Sequence, residues 1–265
     1  MKSKAKIIGG ISLIIALIAI PIGIFTPEIR VFLELDKIYV IDDKFNDDFS
    51  NETIQYGEFV DERDNKLYKW TKIGNQIWMA ENLAFIPSGN CDFELWIEGF
   101  NDSFEDKWYC IYNNEDKYLE KYGILYTWKA IEANEDCDIC PNGWHVATDE
   151  DWKELEMFIG MNQSLIDEIK YRGNNEAFGL KSNMDWSRNG NGNNEYGFNS
   201  LPGGYRHYGD GKFYNIGNYS LYWTATELSE KTAFFRSFRY EDNKINRYYD
   251  DKRSAFYIRC IKNLK

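Results

Sequence analysis

Two runs of apolar and β-branched residues near residue 70 predict a β-hairpin. The runs are 68–73 (YKWTKI) and 76–79 (QIWM), and the two residues between them, Gly74 and Asn75, form a connection typical of paired antiparallel strands. Three later runs are rich in aromatic and β-branched residues, which favour strands. These runs are 221–226, 232–239 and 255–261.

The stretch 148–160 has a helical pattern instead. Thr148 followed by three acidic residues predicts a helix cap with a negatively charged first turn. Trp152, Leu155 and Ile159 then fall on one helical face, and Gly160 ends the pattern. Two further helices are predicted, over 124–133 and 165–170.

Beyond Gly173, short aromatic runs alternate with turns, and 189–194 (NGNGNN) is a loop by composition. The order of hairpin, helices, long loops and strands predicts an α+β fold in one domain with small antiparallel sheets. Apolar residues make up 43% of the 265 residues, which is enough for a buried core.

An uncharged, mostly apolar run covers residues 7–25, after three lysines. As a helix it would span roughly 28 Å, close to a bilayer core of about 30 Å. The lysines would keep residues 1–6 in the cytoplasm, which predicts an N-terminal transmembrane anchor. A cleaved signal peptide and a buried soluble helix are the alternatives. Residues 26–52 are then a predicted stalk, and 53–265 the exported domain.

Charge and cysteine content agree with an exported domain. The formal net charge is −12, which argues against nucleic acid as a partner because phosphate binding needs a basic surface. Five cysteines favour disulfides in an oxidising compartment. Cys137 and Cys140 form a CxxC pair, for which a redox centre, a zinc site and structural bridges are the competing interpretations. In the third interpretation, the two cysteines belong to different bridges or one of them is free.

Six segments, in order, resemble the motifs of the Fibrobacter succinogenes major paralogous domain family. The segments are 68–83 (YKWTKIGNQIWMAENL), 121–128 (KYGILYTW), 140–155 (CPNGWHVATDEDWKEL), 201–206 (LPGGYR), 222–226 (YWTAT) and 258–262 (IRCIK). The resemblance covers roughly residues 53–265. It implies a single C-type-lectin-like domain, distantly related to formylglycine-generating enzymes, in an exported or surface-attached bacterial protein without a settled activity.

The resemblance also implies a disulfide between Cys140 and Cys260, which match the family's bridged pair. Leu119 stands near the place of the family's usual partner for Cys110, so Cys91 becomes the candidate partner of Cys110 and Cys137 the odd thiol. Formylglycine-generating enzymes use two reactive cysteines near the carboxyl end. This chain has only Cys260 there, and that chemistry is not expected.

Aromatic residues crowd the region that forms the long-loop face of lectin-like folds. The candidate ligand face is Tyr205, His207, Tyr208, Tyr222 and Trp223. Tyr and Trp combine a large contact area with a polar group, which suits recognition. Filling of the core is the alternative for each of them.

We expect no cofactor, with calcium on the Gly/Asn loop as the alternative. Its candidate ligands are Asp185, Asn191, Asn193, Asn194 and Glu195, and solvated turns are the other interpretation.

No residue is predicted to be catalytic, and His145 is expected to be a packed, hydrogen-bonded histidine. The chain is therefore predicted to be a membrane-anchored, extracytoplasmic recognition module for a glycan or a surface protein. A structural or assembly module without a discrete ligand, and an enzyme with an unrecognised carboxylate pair, are the alternatives.

Overall fold

The structure is a computed structural model that describes residues 55–87, 91–132 and 137–263, and the backbone of 29–34 and 37–42. Most of the regular secondary structure in these residues is β-strand. The strands are β1 (Ile29–Glu34), β2 (Lys37–Asp42), β3 (Tyr56–Asp61), β4 (Lys66–Ile73), β5 (Gln76–Met79), β6 (Phe93–Leu95), β7 (Lys107–Cys110), β8 (Leu125–Thr127), β9 (Trp144–Val146), β10 (Lys170–Arg172), β11 (Tyr205–Arg206), β12 (Phe213–Tyr214), β13 (Tyr219–Ser229), β14 (Thr232–Arg239), β15 (Ile245–Asp251), β16 (Ala255–Phe256) and β17 (Cys260–Lys262).

Helices are few and short in the described residues. The α-helices are α1 (Leu119–Tyr122), α2 (Asp149–Phe158) and α3 (Glu176–Leu180), and the 3₁₀ turns are Tyr112–Asn114, Asp116–Tyr118, Trp128–Glu132, Gln163–Leu165 and Ser187–Asn189. The predicted α+β class is therefore wrong, because most of the regular structure is β-sheet. Within the helix predicted over 124–133, residues 125–132 form β8 and a 3₁₀ turn instead. An apolar run buried on all sides has no period that separates the two.

The predicted transmembrane helix is not supported. In the described residues, no helix is long and apolar enough to cross a membrane. The segment 7–25 that was predicted to form the anchor lies outside those residues. In the first unit of the chain, the structure describes β1 and β2, which pair as an antiparallel hairpin. This hairpin falls within the predicted stalk.

Residues 52–265 form the larger unit, which contains three sheets. One sheet has five strands in the order β3-β4-β5-β17-β9. It includes the predicted hairpin, which is confirmed: β4 and β5 pair antiparallel, with Ile73 opposite Gln76. Gly74 in the connection has φ +62°, a conformation that glycine adopts without steric cost.

The other two sheets contain most strands of the C-terminal half of the chain, and one of them also contains β6, β7 and β8. A six-stranded sheet has the order β12-β11-β16-β8-β7-β6, and a four-stranded sheet has the order β10-β15-β14-β13. In the six-stranded sheet, β6 runs parallel to β7 and the other neighbours are antiparallel. The strands predicted over 221–226 and 232–239 are confirmed as parts of β13 and β14.

The core lies where α2 meets the five- and four-stranded sheets. Trp152 of α2 lies 5.0 Å from Trp78 of β5 and 5.7 Å from Tyr222 of β13, measured between ring centroids. Phe198 and Phe238 complete this aromatic cluster, in which all five side chains are buried. Tilted and edge-to-face contacts of this kind add to the stability that comes from burial alone.

The start of α2 matches its prediction. The Thr148 hydroxyl accepts a hydrogen bond from Asp151 N, and the Asp151 carboxylate accepts one from Thr148 N at 2.8 Å. These reciprocal bonds form a capping box, which satisfies backbone donors that the first helical turn leaves free. The helix predicted over 165–170 is not present, because a 3₁₀ turn and β10 occupy this part of the chain.

Candidate functional site

A short hairpin formed by β11 and β12 presents two tyrosines on its outer side. Tyr205 and Tyr214 pair directly across the strands, and their ring centroids are 5.8 Å apart. Since side chains alternate along a strand, the neighbouring Arg206 and Phe213 point inwards. Arg206 is buried and packs over the Trp96 ring at 4.0 Å. Arg206 and the half-buried Phe213 anchor the hairpin. Tyr205 is half-buried, with its ring 5.8 Å from that of Phe256, and Tyr214 is 36% exposed.

The loop of this hairpin brings an acid and a histidine next to the tyrosines. His207 and Lys212 close the loop with a backbone hydrogen bond of 3.0 Å. Asp210 Oδ2 accepts a hydrogen bond of 2.5 Å from the Tyr214 hydroxyl, and Asp210 Oδ1 lies 3.3 Å from His207 Nδ1. The bond from Tyr214 is the main reason that the pKa of Asp210 is below its ordinary value.

A second carboxylate lies nearby on β15. Asp250 is half-buried, and burial raises the pKa of its carboxyl above the ordinary value, partly opposed by a hydrogen bond from Asp251 N. Asp250 interacts electrostatically with both Tyr205 and His207. Two carboxyl groups with opposite pKa shifts, Asp210 and Asp250, therefore act on this part of the hairpin.

We name this surface the hairpin face. Its members are Tyr205, His207, Asp210, Tyr214 and Asp250. In the described part of the chain, neither the Tyr205 hydroxyl nor His207 Nε2 has a hydrogen-bond partner. Open donors and acceptors beside partly exposed rings are groups that a polar ligand can satisfy.

Sequence reasoning identified only part of this face. Tyr205 and His207 were predicted, and Tyr214 belongs to the same aromatic-rich region, whereas Asp210 and Asp250 were missed. The turn residues 209–211 (GDG) between two aromatic pairs could have indicated a hairpin. No local pattern marks Asp250, because only the tertiary structure brings β15 to this surface.

Tyr208 is half-exposed but faces a different neighbour. The guanidinium of Arg253 lies 4.3 Å from the centroid of its ring, and the Tyr208 carbonyl accepts a hydrogen bond of 2.9 Å from Asn101 N. Tyr208 therefore borders the hairpin face, next to the segment that contains Asn101.

Two residues predicted for the ligand face are in the core, and that prediction is wrong for them. Tyr222 and Trp223 are both fully buried. Trp223 stacks on Phe256 with ring centroids 4.2 Å apart, and its indole nitrogen donates to the Tyr126 carbonyl at 3.0 Å. Both faces of β13 are covered here, so apolar residues continue along the strand without alternation.

The structure confirms one predicted disulfide and corrects the other. Cys140 and Cys260 are bridged, with Cα atoms 6.0 Å apart. Cys91 is bridged to Cys137, with Cα atoms 5.5 Å apart, so the predicted pairing of Cys91 with Cys110 is wrong. Cys110 is instead a free thiol inside the core, where burial raises its pKa to about 12.

Cys137 and Cys140 therefore belong to two different bridges, and the expectation that Cys137 is the odd thiol is wrong. No motif in the sequence indicated this second pairing, in which Cys91 and Cys137 are separated by 46 positions. The pairing depends on how the intervening strands fold.

Four of the side chains considered as calcium ligands already have polar partners in the protein. Asn191 Oδ1 accepts from Trp186 N at 3.0 Å, and Asn194 Oδ1 accepts from Asn199 N at 2.7 Å. Asn193 and Asp185 are engaged similarly, with Glu195 N and Lys121 respectively. No group of three or more His, Cys, Asp or Glu residues in the described ranges could hold a metal ion.

A family model for the Fibrobacter succinogenes major domain matches residues 71–262. The chain belongs to this family. The match confirms the resemblance seen in the sequence motifs. No curated protein and no solved structure matches the chain. The relation to C-type lectins and formylglycine-generating enzymes stays a prediction.

In this Fibrobacter succinogenes major domain, residues of the family motifs contact each other in the core. Arg259, in the last motif, is buried and donates to the carbonyls of Met79 and Phe198 and to the side chain of Asn82. It therefore joins the first and last motifs through buried hydrogen bonds. A buried charge needs such partners, since an unpaired one would be costly.

Proposed function

We propose that the domain is an extracytoplasmic binding module that recognises a glycan through the hairpin face. The observation that carries the proposal is the cross-strand pair of Tyr205 and Tyr214, flanked by Asp210 and Asp250. Rings of this kind can pack against the C–H groups of a sugar, and carboxylates can accept hydrogen bonds from its hydroxyls.

The charge of the hairpin face indicates which kind of glycan it can bind. The pKa of Asp210 is lowered, so this carboxylate is charged at neutral pH. A negatively charged sugar would meet like charge at the tyrosine pair, which is unfavourable. Neutral and amino sugars are therefore the ligands that fit best.

An oxidising compartment is the second part of the proposal. Two disulfides tie the described domain together, and such bonds persist outside the cytoplasm. The net charge of −12 also suits an exported domain that binds no nucleic acid.

The proposal is tested by a glycan array followed by calorimetry on the purified, oxidised protein. Tyr214→Ala should weaken binding of a neutral glycan at least about tenfold, because it removes one ring and the hydroxyl that orients Asp210. Tyr56→Ala is the matched control, since Tyr56 is an exposed tyrosine on β3 of another sheet. Its affinity should equal that of the wild type.

Absence of saturable binding by the folded, bridged protein would overturn the proposal and favour a structural or assembly module. An equal loss in both tyrosine variants would exclude the hairpin face as the site. Parallel titrations with calcium and with chelator would show whether the Gly/Asn loop contributes.

We propose that the domain binds its glycan without hydrolysing it. The opposite pKa shifts of Asp210 and Asp250 resemble those of paired carboxylates in hydrolases. We therefore include an assay for newly released reducing ends, with Asp250→Asn as the comparison. Release of sugar by the wild type that is lost in this variant would show that the domain is an enzyme.

A further inference from the structure

A segment next to the hairpin face displays three large apolar side chains. Leu95, Ile97 and Phe100 are 48%, 59% and 61% exposed. We name these three residues the apolar edge. Single exposed apolar residues are common, but three within six positions form a patch of the kind that marks an interaction site.

The apolar edge is held in place by its neighbours. Trp96, between Leu95 and Ile97, is buried, and its indole nitrogen donates to the Gly99 carbonyl at 3.0 Å. The Ile97 carbonyl accepts a hydrogen bond of 2.9 Å from Asn114 Nδ2. The backbone that carries the three exposed side chains is therefore held by hydrogen bonds from neighbouring side chains.

This segment also lies at the border of a sheet. β6 is the last strand of the six-stranded sheet, and in the described residues it pairs only with β7. Proteins commonly protect such a border with lysine or proline. Residues 92–106 contain neither. An exposed border of this kind can accept one more strand.

The charge of residues 92–106 indicates which side chains an added strand should have. Residues 92–106 contain six acids and no Lys, Arg or His. The acids are Asp92, Glu94, Glu98, Asp102, Glu105 and Asp106. Glu105 pairs with Lys129 at 3.0 Å, whereas Glu98 and Asp102 make no ion pair with any described residue. The cations of Lys107 and Arg253 lie over the rings of Phe93 and Phe104. The negative charge that flanks Phe100 therefore comes from Glu98 and Asp102.

We propose that the apolar edge binds an extended segment of a partner protein in which apolar and basic side chains alternate. Main-chain hydrogen bonds to β6 align the segment, its apolar residues cover Ile97 and Phe100, and its basic residues face the acids. Alternation follows from strand geometry, because successive side chains point to opposite faces. This surface is separate from the hairpin face, and the two proposals can fail independently.

Fluorescence anisotropy with the full-length protein tests the proposal. The probe is a labelled, end-capped ten-residue peptide of alternating lysine and valine. Matched peptides replace lysine by glutamate, or valine by serine. We expect saturable binding of the lysine–valine peptide and at least about tenfold weaker binding of both matched peptides.

Two pairs of variants separate the apolar edge from general attraction to an acidic protein. Ile97→Ser should weaken binding at least about tenfold, whereas Met184→Ser, at a similarly exposed apolar position, should not change it. Glu98→Lys should weaken binding more than Glu154→Lys, which makes the same charge change on the exposed side of α2. Circular dichroism confirms that each variant is folded.

Several results would overturn the proposal. They are an absence of saturable binding, equal binding of the glutamate peptide, or equal losses in each variant and its control. Self-association that Ile97→Ser abolishes would also overturn it, since the apolar edge would then bind a second copy. Tyr214→Ala should leave peptide binding unchanged, which separates this test from that of the hairpin face.

Discussion

At the scale of single residues, His145 connects the start of α2 to the end of the described chain. Its Nε2 lies 3.2 Å from Asp151 Oδ2, and its Nδ1 lies within hydrogen-bonding distance of Asn263 Oδ1. The imidazolium form can donate to both oxygens at once. The hydrogen bond to Asp151 is the main cause of the raised pKa of His145, against the opposing effect of burial.

This raised pKa predicts a pH dependence of stability. The contribution of protonated His145 is fully present below its unfolded-state pKa of about 6.5. It is lost as the pH rises through the higher folded-state pKa. We expect His145→Gln to destabilise the protein more at about pH 5.5 than at about pH 8.5, by less than about 1 kcal/mol because the side chain is partly exposed.

Urea unfolding of the wild type and the variant at both pH values measures this difference. If His145→Gln lowered the free energy of unfolding equally at both pH values, or more at the higher one, protonated His145 would not stabilise the fold. Asp151→Asn should abolish the pH dependence of that cost, because it removes the charge that stabilises the imidazolium.

At the scale of elements, buried ion pairs attach α2 to the four-stranded sheet. Glu156 accepts hydrogen bonds from Arg172 at 2.8 Å and from Arg236 at 2.6 Å, and all three side chains are buried. Two turns earlier on α2, Asp149 accepts hydrogen bonds from Arg236 and Arg247. Burial alone would raise the pKa of Asp149, but these two arginines lower it well below its usual range.

Removal of one buried partner should therefore be costly. We expect Glu156→Gln to lower the free energy of unfolding by about 3 to 5 kcal/mol, because Arg172 loses its carboxylate partner in the core and Arg236 loses one of its two. Glu154→Gln, two positions earlier on the exposed side of α2, should change it by less than about 0.5 kcal/mol. Equal effects in a urea titration would show that the ion pairs do not hold α2 on the sheet.

At the scale of the whole molecule, the last strands close two sheets. β16 pairs with β8 and β11, and β17 pairs with β5 and β9. The Cys140–Cys260 disulfide joins this end of the chain to the segment before β9 across 120 positions. Strands distant in sequence are thus tied together both by hydrogen bonds and covalently.

The two disulfides should contribute according to their loop lengths. In the chain-entropy model, loss of the Cys140–Cys260 bridge costs about 5 kcal/mol, and loss of the 46-residue Cys91–Cys137 bridge about 4 kcal/mol. Unfolding of the two double Cys→Ala variants measures both costs. A smaller cost for the Cys140–Cys260 variant would contradict this order.

Peptide mapping without reductant checks the pairing itself. We expect linked peptides for both bridges, and alkylation of Cys110 only after unfolding, because the folded domain buries this thiol and raises its pKa. A peptide linking Cys91 to Cys110 would contradict the structure.

The sequence by itself determined the features that depend on neighbouring residues or on matched motifs. The β4–β5 hairpin follows from a two-residue turn between strand-forming runs, and the start of α2 follows from its cap. The family and the Cys140–Cys260 bridge follow from motifs in fitting order. None of these required knowledge of which surfaces would be covered.

Only the tertiary structure decided the features that depend on distant packing. Local sequence does not show whether both sides of a strand are covered, so Tyr222 and Trp223 resembled exposed recognition residues until β13 proved to be buried. The hairpin face needs Asp250 from a strand remote in sequence, and the partner of Cys91 depends on the folding of the intervening chain. Burial and proximity are products of the whole fold, because they arise from contacts between segments that local patterns do not relate.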